Sequence, residues 1–178
     1  MGSRMEQGQL QIYDGDGKGK TTAAVGLAVR ALGAGLTVYM GQFIKDMEYH
    51  EIGIIKQLPG MTVELYGNGK GCLIGRYPSE DDIKAAEAGM EKAMKALKSE
   101  QYDMVILDEI NVAWKLGLLK EEDMLRLAKE RPSGVELVFT GRGCPESVME
   151  IADLITEMKE VRHYYNTKGL PARDGIER

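Results

Sequence analysis

Five short runs rich in Val, Ile, Leu, Tyr and Met recur along the chain, at Leu10 to Asp14, Leu36 to Phe43, Thr62 to Tyr66, Met104 to Asp108 and Val135 to Thr140, and a segment of helical length separates each from the next. A sixth such run lies at Ile155 to Val161. Several of these runs are apolar at nearly every position, as strands buried on both faces are. Strict alternation of such strands with helices points to a mainly parallel sheet covered on both sides by right-handed crossover helices. In a doubly wound sheet of this kind, ligands bind at the carboxyl ends of the strands.

The helical segments carry their own signals. Thr21 to Leu32 is rich in Ala, Val and Leu and is stopped by Gly33 and Gly35. A longer helix starts after Pro78, with Ser79 as cap and Asp81 and Asp82 at the positive end of the dipole, and runs to about Leu97. Along it Ile83, Ala86, Met90, Met94 and Leu97 share one face, and core packing accounts for the methionines more simply than a cofactor site does. Further helices are expected over Leu118 to Glu130 and Pro145 to Leu154, with Pro145 in a first turn. The tail from His163 to Arg178 lacks a core period and reads as an extended arm.

With 178 residues, 43% hydrophobic and 29% charged, the chain suits a single domain over residues 5–178, with Met1 to Arg4 read as a cloning scar. A net charge of -5 argues against broad nucleic-acid binding. No apolar run approaches the ~18 residues of a membrane span, so a cytoplasmic protein without membrane insertion is expected. Cys72 and Cys144 show no Cys-x-x-Cys spacing, and His50 and His163 are unclustered, so a zinc site is not expected and any metal should be held by oxygen.

The first apolar run leads into Asp14-Gly15-Asp16-Gly17-Lys18-Gly19-Lys20-Thr21-Thr22. Gly19-Lys20-Thr21 match the end of the phosphate-binding loop pattern, whereas Asp14 stands where that pattern has its first glycine. The context is right, between a strand and a helix N-terminus whose amides can converge on an anion. Glycines let the backbone approach phosphate, Lys18 and Lys20 supply charge, and the Thr21 hydroxyl suits Mg²⁺. A second element, Met104 to Glu109, is an apolar strand ending in two carboxylates. Placed on a strand adjacent to the loop strand, Asp108 or Glu109 would reach Mg²⁺ near Thr21. A third, Thr140-Gly141-Arg142-Gly143, ends a strand on the same rim, where Arg142 can meet a phosphate or an acidic neighbour. These features specify a P-loop NTPase-like, RecA-like α/β fold binding Mg·ATP. They leave hydrolase, kinase, switch and alkyl transferase open.

Four blocks in order, Gly15 to Ala24, Gly41-Gln42-Phe43-Ile44-Lys45, Leu107-Asp108-Glu109-Ile110-Asn111 and Thr140 to Gly143, make the chain resemble the ATP:corrinoid adenosyltransferases of the CobA/BtuR type. Ala152 to Met158 and Gly175-Ile176-Glu177 extend the likeness almost to the end. The resemblance implies that a Co(I) corrinoid attacks C5′ of ATP, forming a carbon–cobalt bond and releasing tripolyphosphate, with ATP lying in reverse across the loop. It implies catalytic roles for Lys20 and Thr21, and a triphosphate bound by Gly15, Asp16, Gly17, Lys18, Gly19, Lys20, Thr21 and Thr22 with Arg142. Arg30 and Gln42 would lie near the nucleoside, and Thr21 with Asp108 or Glu109 would hold Mg²⁺. It further implies a homodimer, an electron-donating reductase as partner, and the N-terminal segment and tail as covers of the site. The alternatives are a nucleoside kinase or ATPase, or a non-catalytic nucleotide-dependent corrinoid carrier.

One stretch departs from the family. Relatives carry a Phe and a Trp in the loop after the third strand, where they help displace the lower cobalt ligand. Gly67 to Tyr77 holds neither. Leu73 and Ile74 are available there as an apolar wall and Cys72 can approach the metal, with ordinary loop packing the simpler role for each. Trp114 is expected in the core.

Overall fold

A computed structural model describes residues 5–45, 49–69, 73 and 77–177. In chain order they form β1 (Leu10–Asp14), α1 (Lys20–Gly33), β2 (Val38–Gln42), α2 (His50–Ile55), β3 (Met61–Leu65), α3 (Glu80–Lys98), β4 (Met104–Asp108), α4 (Ile110–Lys115), α5 (Glu121–Glu130), β5 (Glu136–Thr140), α6 (Glu146–Met149), β6 (Leu154–Glu157) and α7 (Tyr164–Lys168). The strands make one sheet in the order β3-β2-β4-β5-β1-β6, and every pairing is parallel. This is the doubly wound α/β sheet expected from the alternation of apolar runs.

Burial explains the composition of the strands. β2, β4 and β5 are buried at every position, so both faces of each must be apolar or internally paired. Successive side chains of β4 go to opposite sides. Met104 and Ile106 join Ala24, Ala28 and Ala31 of α1 on one side, while Val105 and Leu107 join the α3 and α5 core on the other. Small alanines on α1 let that helix lie close to the sheet. On α3 the face of Ala86, Met90, Met94 and Leu97 is buried and Ile83 packs against it, so the methionines are core. The start of α3 is fixed by a capping box: Asp82 N–H donates to Ser79 Oγ at 3.4 Å, and Ser79 N–H donates to Asp82 Oδ2 at 2.7 Å.

Tyr66 lies close against two glycines. A Cβ on Gly41 would stand 2.5 Å from the hydroxyl end of the Tyr66 ring, and one on Gly89 would stand 2.5 Å from the end nearer its own Cβ. The ring also meets Phe43 edge-on at 4.9 Å, and its hydroxyl bonds to that of Tyr39. Gly89→Ala should therefore lower stability by about 1–3 kcal/mol despite alanine's better helix propensity, because the new methyl would overlap a buried ring that Phe43 and Tyr39 also hold. Urea denaturation would show this as a lower midpoint at unchanged slope.

Several expected boundaries need correction. The helix predicted over Pro145 to Leu154 is only Glu146–Met149, with Pro145 as its cap, because Asp153 must turn the chain into β6. The sixth strand ends at Glu157, four residues short of Val161. The tail is not wholly extended: His163 Nδ1 accepts the Tyr165 N–H at 3.1 Å and Gly169, at φ 64°, closes the short helix α7. Capping carries that helix, which has no apolar period to betray it. α2 and α4, six residues each, were not given bounds from the sequence; α4 starts two residues past the end of β4, and α2 lies between β2 and β3. Finally, β4 is not adjacent to β1, since β5 lies between them. Trp114 is partly buried against the core. No described helix is long and apolar enough to cross a membrane.

Candidate active site

The carboxyl ends of β1, β2, β4 and β5 open into a cavity of about 690 Å³. Its floor is the loop between β1 and α1. Gly15 and Gly19 have φ of 97° and 120°, the left-handed region that glycine tolerates. Gly17 N–H donates to Met158 O at 2.6 Å, and a Cβ on Gly15 or Gly17 would strike that carbonyl at 2.5 or 2.6 Å. The strand leaving β6 thus presses the loop into shape, which is why glycines are needed there. Gly17 to Thr22 line the cavity, and no side chain caps the N-terminus of the 14-residue α1, an arrangement suited to receiving an anion.

Lys20 is 9% exposed and its Nζ donates to Gly15 O at 2.6 Å and Gly17 O at 2.7 Å. Burial and then the charge of Arg142 push its pKa down. The ammonium is thus held by two neutral carbonyls beside another cation, an arrangement that an incoming anion relieves. Lys18, also in the lining, is engaged by the tail. Its Nζ donates to Glu177 Oε1 at 2.9 Å and Ile176 O at 3.0 Å, so the tail, which lines the cavity with His163, Gly175, Ile176 and Glu177, is tied to the loop.

Behind the loop lies a fully buried carboxylate. Asp108 Oδ1 accepts from Thr21 Oγ1 at 2.9 Å and Thr140 Oγ1 at 2.6 Å, and Oδ2 accepts from Gln42 Nε2 at 3.0 Å and Lys45 Nζ at 3.1 Å. All four donors come from different segments of the rim. Thr21 reaches Asp108 although β4 is one strand removed from β1, because α1 crosses the sheet on its way to β2 and packs over β4 and β5. Lys45 is buried, which disfavours its charge, yet Asp108 and Glu109 outweigh this and its pKa is raised.

Of the two carboxylates that end the β4 run, Glu109 lines the cavity and Asp108 does not. Its backbone is left-handed at φ 61° and its N–H donates to Thr140 Oγ1 at 3.0 Å. Burial first, and then the Asp108 charge, raise its pKa. A raised folded-state pKa contributes stability below the ordinary carboxylate range, and that contribution is lost as pH rises through the raised value. Glu109→Gln should consequently be more stable than the parent at about pH 7 and equal to it at about pH 4 in metal-free denaturation. Equal stability of the two at both pH values would refute a buried Glu109 charge.

The remaining expected residues divide. Arg142 lines the cavity and makes no hydrogen bond or ion pair to another described residue. Asp16 is exposed beside the loop and does not line the cavity. Gln42 is fully buried against Asp108, with its Oε1 lacking a hydrogen-bond partner among the described residues. Arg30 sits exposed in the last turn of α1, close enough to Tyr13 to act on its hydroxyl, and the structure does not bring it to the cavity. The N-terminal segment lies at the other end of the sheet, where Gly8 N–H donates to Ser133 O and Gln9 N–H to Glu136 Oε2. Leu73 is buried in the core rather than standing as a wall, and Cys72 and Ile74 fall outside the described residues. Cys144 is buried, and burial and Asp14 push its thiol up to about 12. Lys45 was not assigned a role from sequence, although a cation three residues past a strand end on this rim is the signal that would have found it.

Comparisons with known proteins give the family. The family model described as ATP:corrinoid adenosyltransferase BtuR/CobO/CobP matches residues 6–178. A corrinoid adenosyltransferase of Pseudomonas aeruginosa is 35% identical over 176 residues, 98% of this chain and 86% of the relative. One from Sinorhizobium sp is 34% identical over 174 residues, 97% of this chain and 81% of the relative. One from Escherichia coli is 34% identical over 172 residues, 97% of this chain and 86% of the relative. With a match from residue 6 to the end, this chain belongs to the ATP:corrinoid adenosyltransferase family, a family of transferases.

Proposed function

We propose that the protein transfers the 5′-deoxyadenosyl group of ATP to the Co(I) centre of a corrinoid. The cobalt lone pair forms the new bond to C5′, the C5′–O bond breaks, and its electron pair leaves with tripolyphosphate. The observation that carries this reading is the cavity at the N-terminus of α1, where Lys18, Lys20, Lys45 and Arg142 are gathered in the lining and one of the carboxylates there, Glu177, is already paired with Lys18. Such a cradle stabilises charge along a whole departing triphosphate rather than at one phosphoryl group.

The oxygen donors at its head suit Mg²⁺. Thr21 Oγ1 already donates to Asp108, which leaves its lone pairs for a cation, and the Glu109 carboxylate faces the cavity. We assign Thr21 and Glu109 as ligands and Asp108 as the residue that orients Thr21, because both Asp108 oxygens are occupied by four donors. Bound there, the ion would neutralise part of the triphosphate charge. The protein's residues hold the triphosphate, align C5′ with cobalt and exclude water. No general base is needed, since the nucleophile carries no proton. His163 and His50 accordingly need no catalytic role, although both line the cavity.

Cytoplasmic location, a homodimer, and a reductase that supplies the electron for Co(I) complete the proposal. The test is anaerobic incubation with MgATP and chemically reduced cobalamin. Adenosylcobalamin and tripolyphosphate are the expected products. ADP formed with no spectral change of the corrinoid would establish a kinase or ATPase instead, and nucleotide binding without turnover would establish a carrier.

A further inference from the structure

Asp14 occupies the position where the phosphate-loop pattern has glycine, and the structure gives its carboxylate work that glycine cannot do. Its Oδ1 accepts the Gly143 N–H at 2.6 Å and its Oδ2 accepts the Cys144 N–H at 3.4 Å. The segment so held is the turn after β5 that bears Arg142. On the other side of Arg142, Gly141 N–H donates to Tyr13 O at 3.2 Å, and Gly141 O accepts Asn111 Nδ2 at 3.1 Å. Both glycines have positive φ, 127° and 80°, so the turn has no conformational preference of its own that would fix where Arg142 stands.

Arg142 itself faces the cavity without a hydrogen bond or ion pair to another described residue, and it is near enough to Lys20 for the two cations to oppose each other. Two like charges held together in the free protein need an anchor outside the pair. Asp14 supplies it on the Gly143 side, through the backbone and not through the guanidinium.

We propose that Asp14 is a positioning residue for nucleotide binding: by holding the Gly143 and Cys144 amides it sets Arg142 against the triphosphate. This rests on the reading that the cavity receives the triphosphate of ATP. It implies that restoring the pattern's glycine weakens the site. A negative charge beside a phosphate loop would ordinarily oppose an anion. Here a short charge-assisted bond from Gly143 is already directed at that charge, so the positioning outweighs the repulsion.

The experiment is a double-mutant cycle on MgATP binding, measured by calorimetry on the parent, D14G, R142A and D14G/R142A. D14G is expected to weaken binding about tenfold, the scale of one lost charge-assisted hydrogen bond. R142A should weaken it by at least as much, and the double variant should bind within about twofold of R142A alone. D14N, which keeps the acceptor for Gly143, should stay within about threefold of the parent. Adenosine, which has no phosphate, should bind the parent and D14G equally, which separates positioning from a general loss of structure. Should D14G fail to fold, D14A, which also removes the acceptor, takes its place in the cycle with the same expected coupling. Undiminished MgATP binding by D14G, or losses that multiply in the double variant, would overturn the proposal. A parent that binds no MgATP overturns it together with the function proposed above. A parent that binds MgATP but transfers no adenosyl group overturns that function alone, and the cycle still decides the role of Asp14.

Discussion

Lys20→Ala should reduce adenosylation of reduced cobalamin by on the order of 10²–10³-fold, the usual effect of deleting one preorganised charge at a leaving group. The parent ammonium is already in place, held at 2.6 and 2.7 Å by two loop carbonyls, so its loss removes both the charge and the pin that shapes the loop. Thermal stability should change little, because the substitution also removes a buried cation that burial and Arg142 disfavour. Steady-state rates with MgATP and reduced cobalamin, alongside a melting curve, make the comparison. Adenosylation at the parental rate in this variant would contradict the role given to the loop.

Asp108→Ala should have the opposite profile, with a large loss of stability. The carboxylate is 0% exposed and neutralises Lys45, whose side chain is 13% exposed, while three further donors converge on it. Removing one partner of a buried ion pair typically costs about 3–5 kcal/mol. For a chain of this size that lowers the melting midpoint by roughly 10 °C. Lys45→Met in the same background should recover part of the loss, since it deletes the stranded charge. Calorimetry of the two variants tests this; a double variant no more stable than Asp108→Ala would show that the three neutral donors, and not the ion pair, carry the cost.

The sheet was legible because apolar runs of strand length are forced by burial on two faces, and β1 and β4 were read to the residue. The loop was legible because its glycines and lysines keep a known spacing between a strand and a helix, although the carbonyl that Gly15 and Gly17 make room for, Met158 O, comes from far along the chain. What escaped the sequence was set by distant partners. α7 is made by a histidine cap and a terminal glycine, and neither depends on periodicity. Lys45 acquires meaning only when β2 and β4 pair side by side and bring it to Asp108. Asp14 looked like a defect in a motif until β5 was found beside β1, with its turn donating two amides to it. The choice between Asp108 and Glu109 also needed coordinates. Adjacent residues at a strand end face opposite ways, and only the tertiary structure says which way the cavity lies.

The strand order also bears on how the chain acquires its site. β1 is the first strand in sequence, yet its sheet neighbours are β5 and β6, so it stays without an edge to pair with until residues 136–157 are available. β2, β3 and β4, by contrast, are mutual neighbours and can pair among themselves from the middle of the chain. The phosphate loop is therefore among the last parts to be organised, through contacts as far apart in sequence as Lys18 and Glu177. MgATP, which we propose as the ligand of that loop, can stabilise the finished molecule by mass action but has nothing to grip in a partly folded one. Nucleotide added during refolding should slow unfolding and leave the rate of folding untouched.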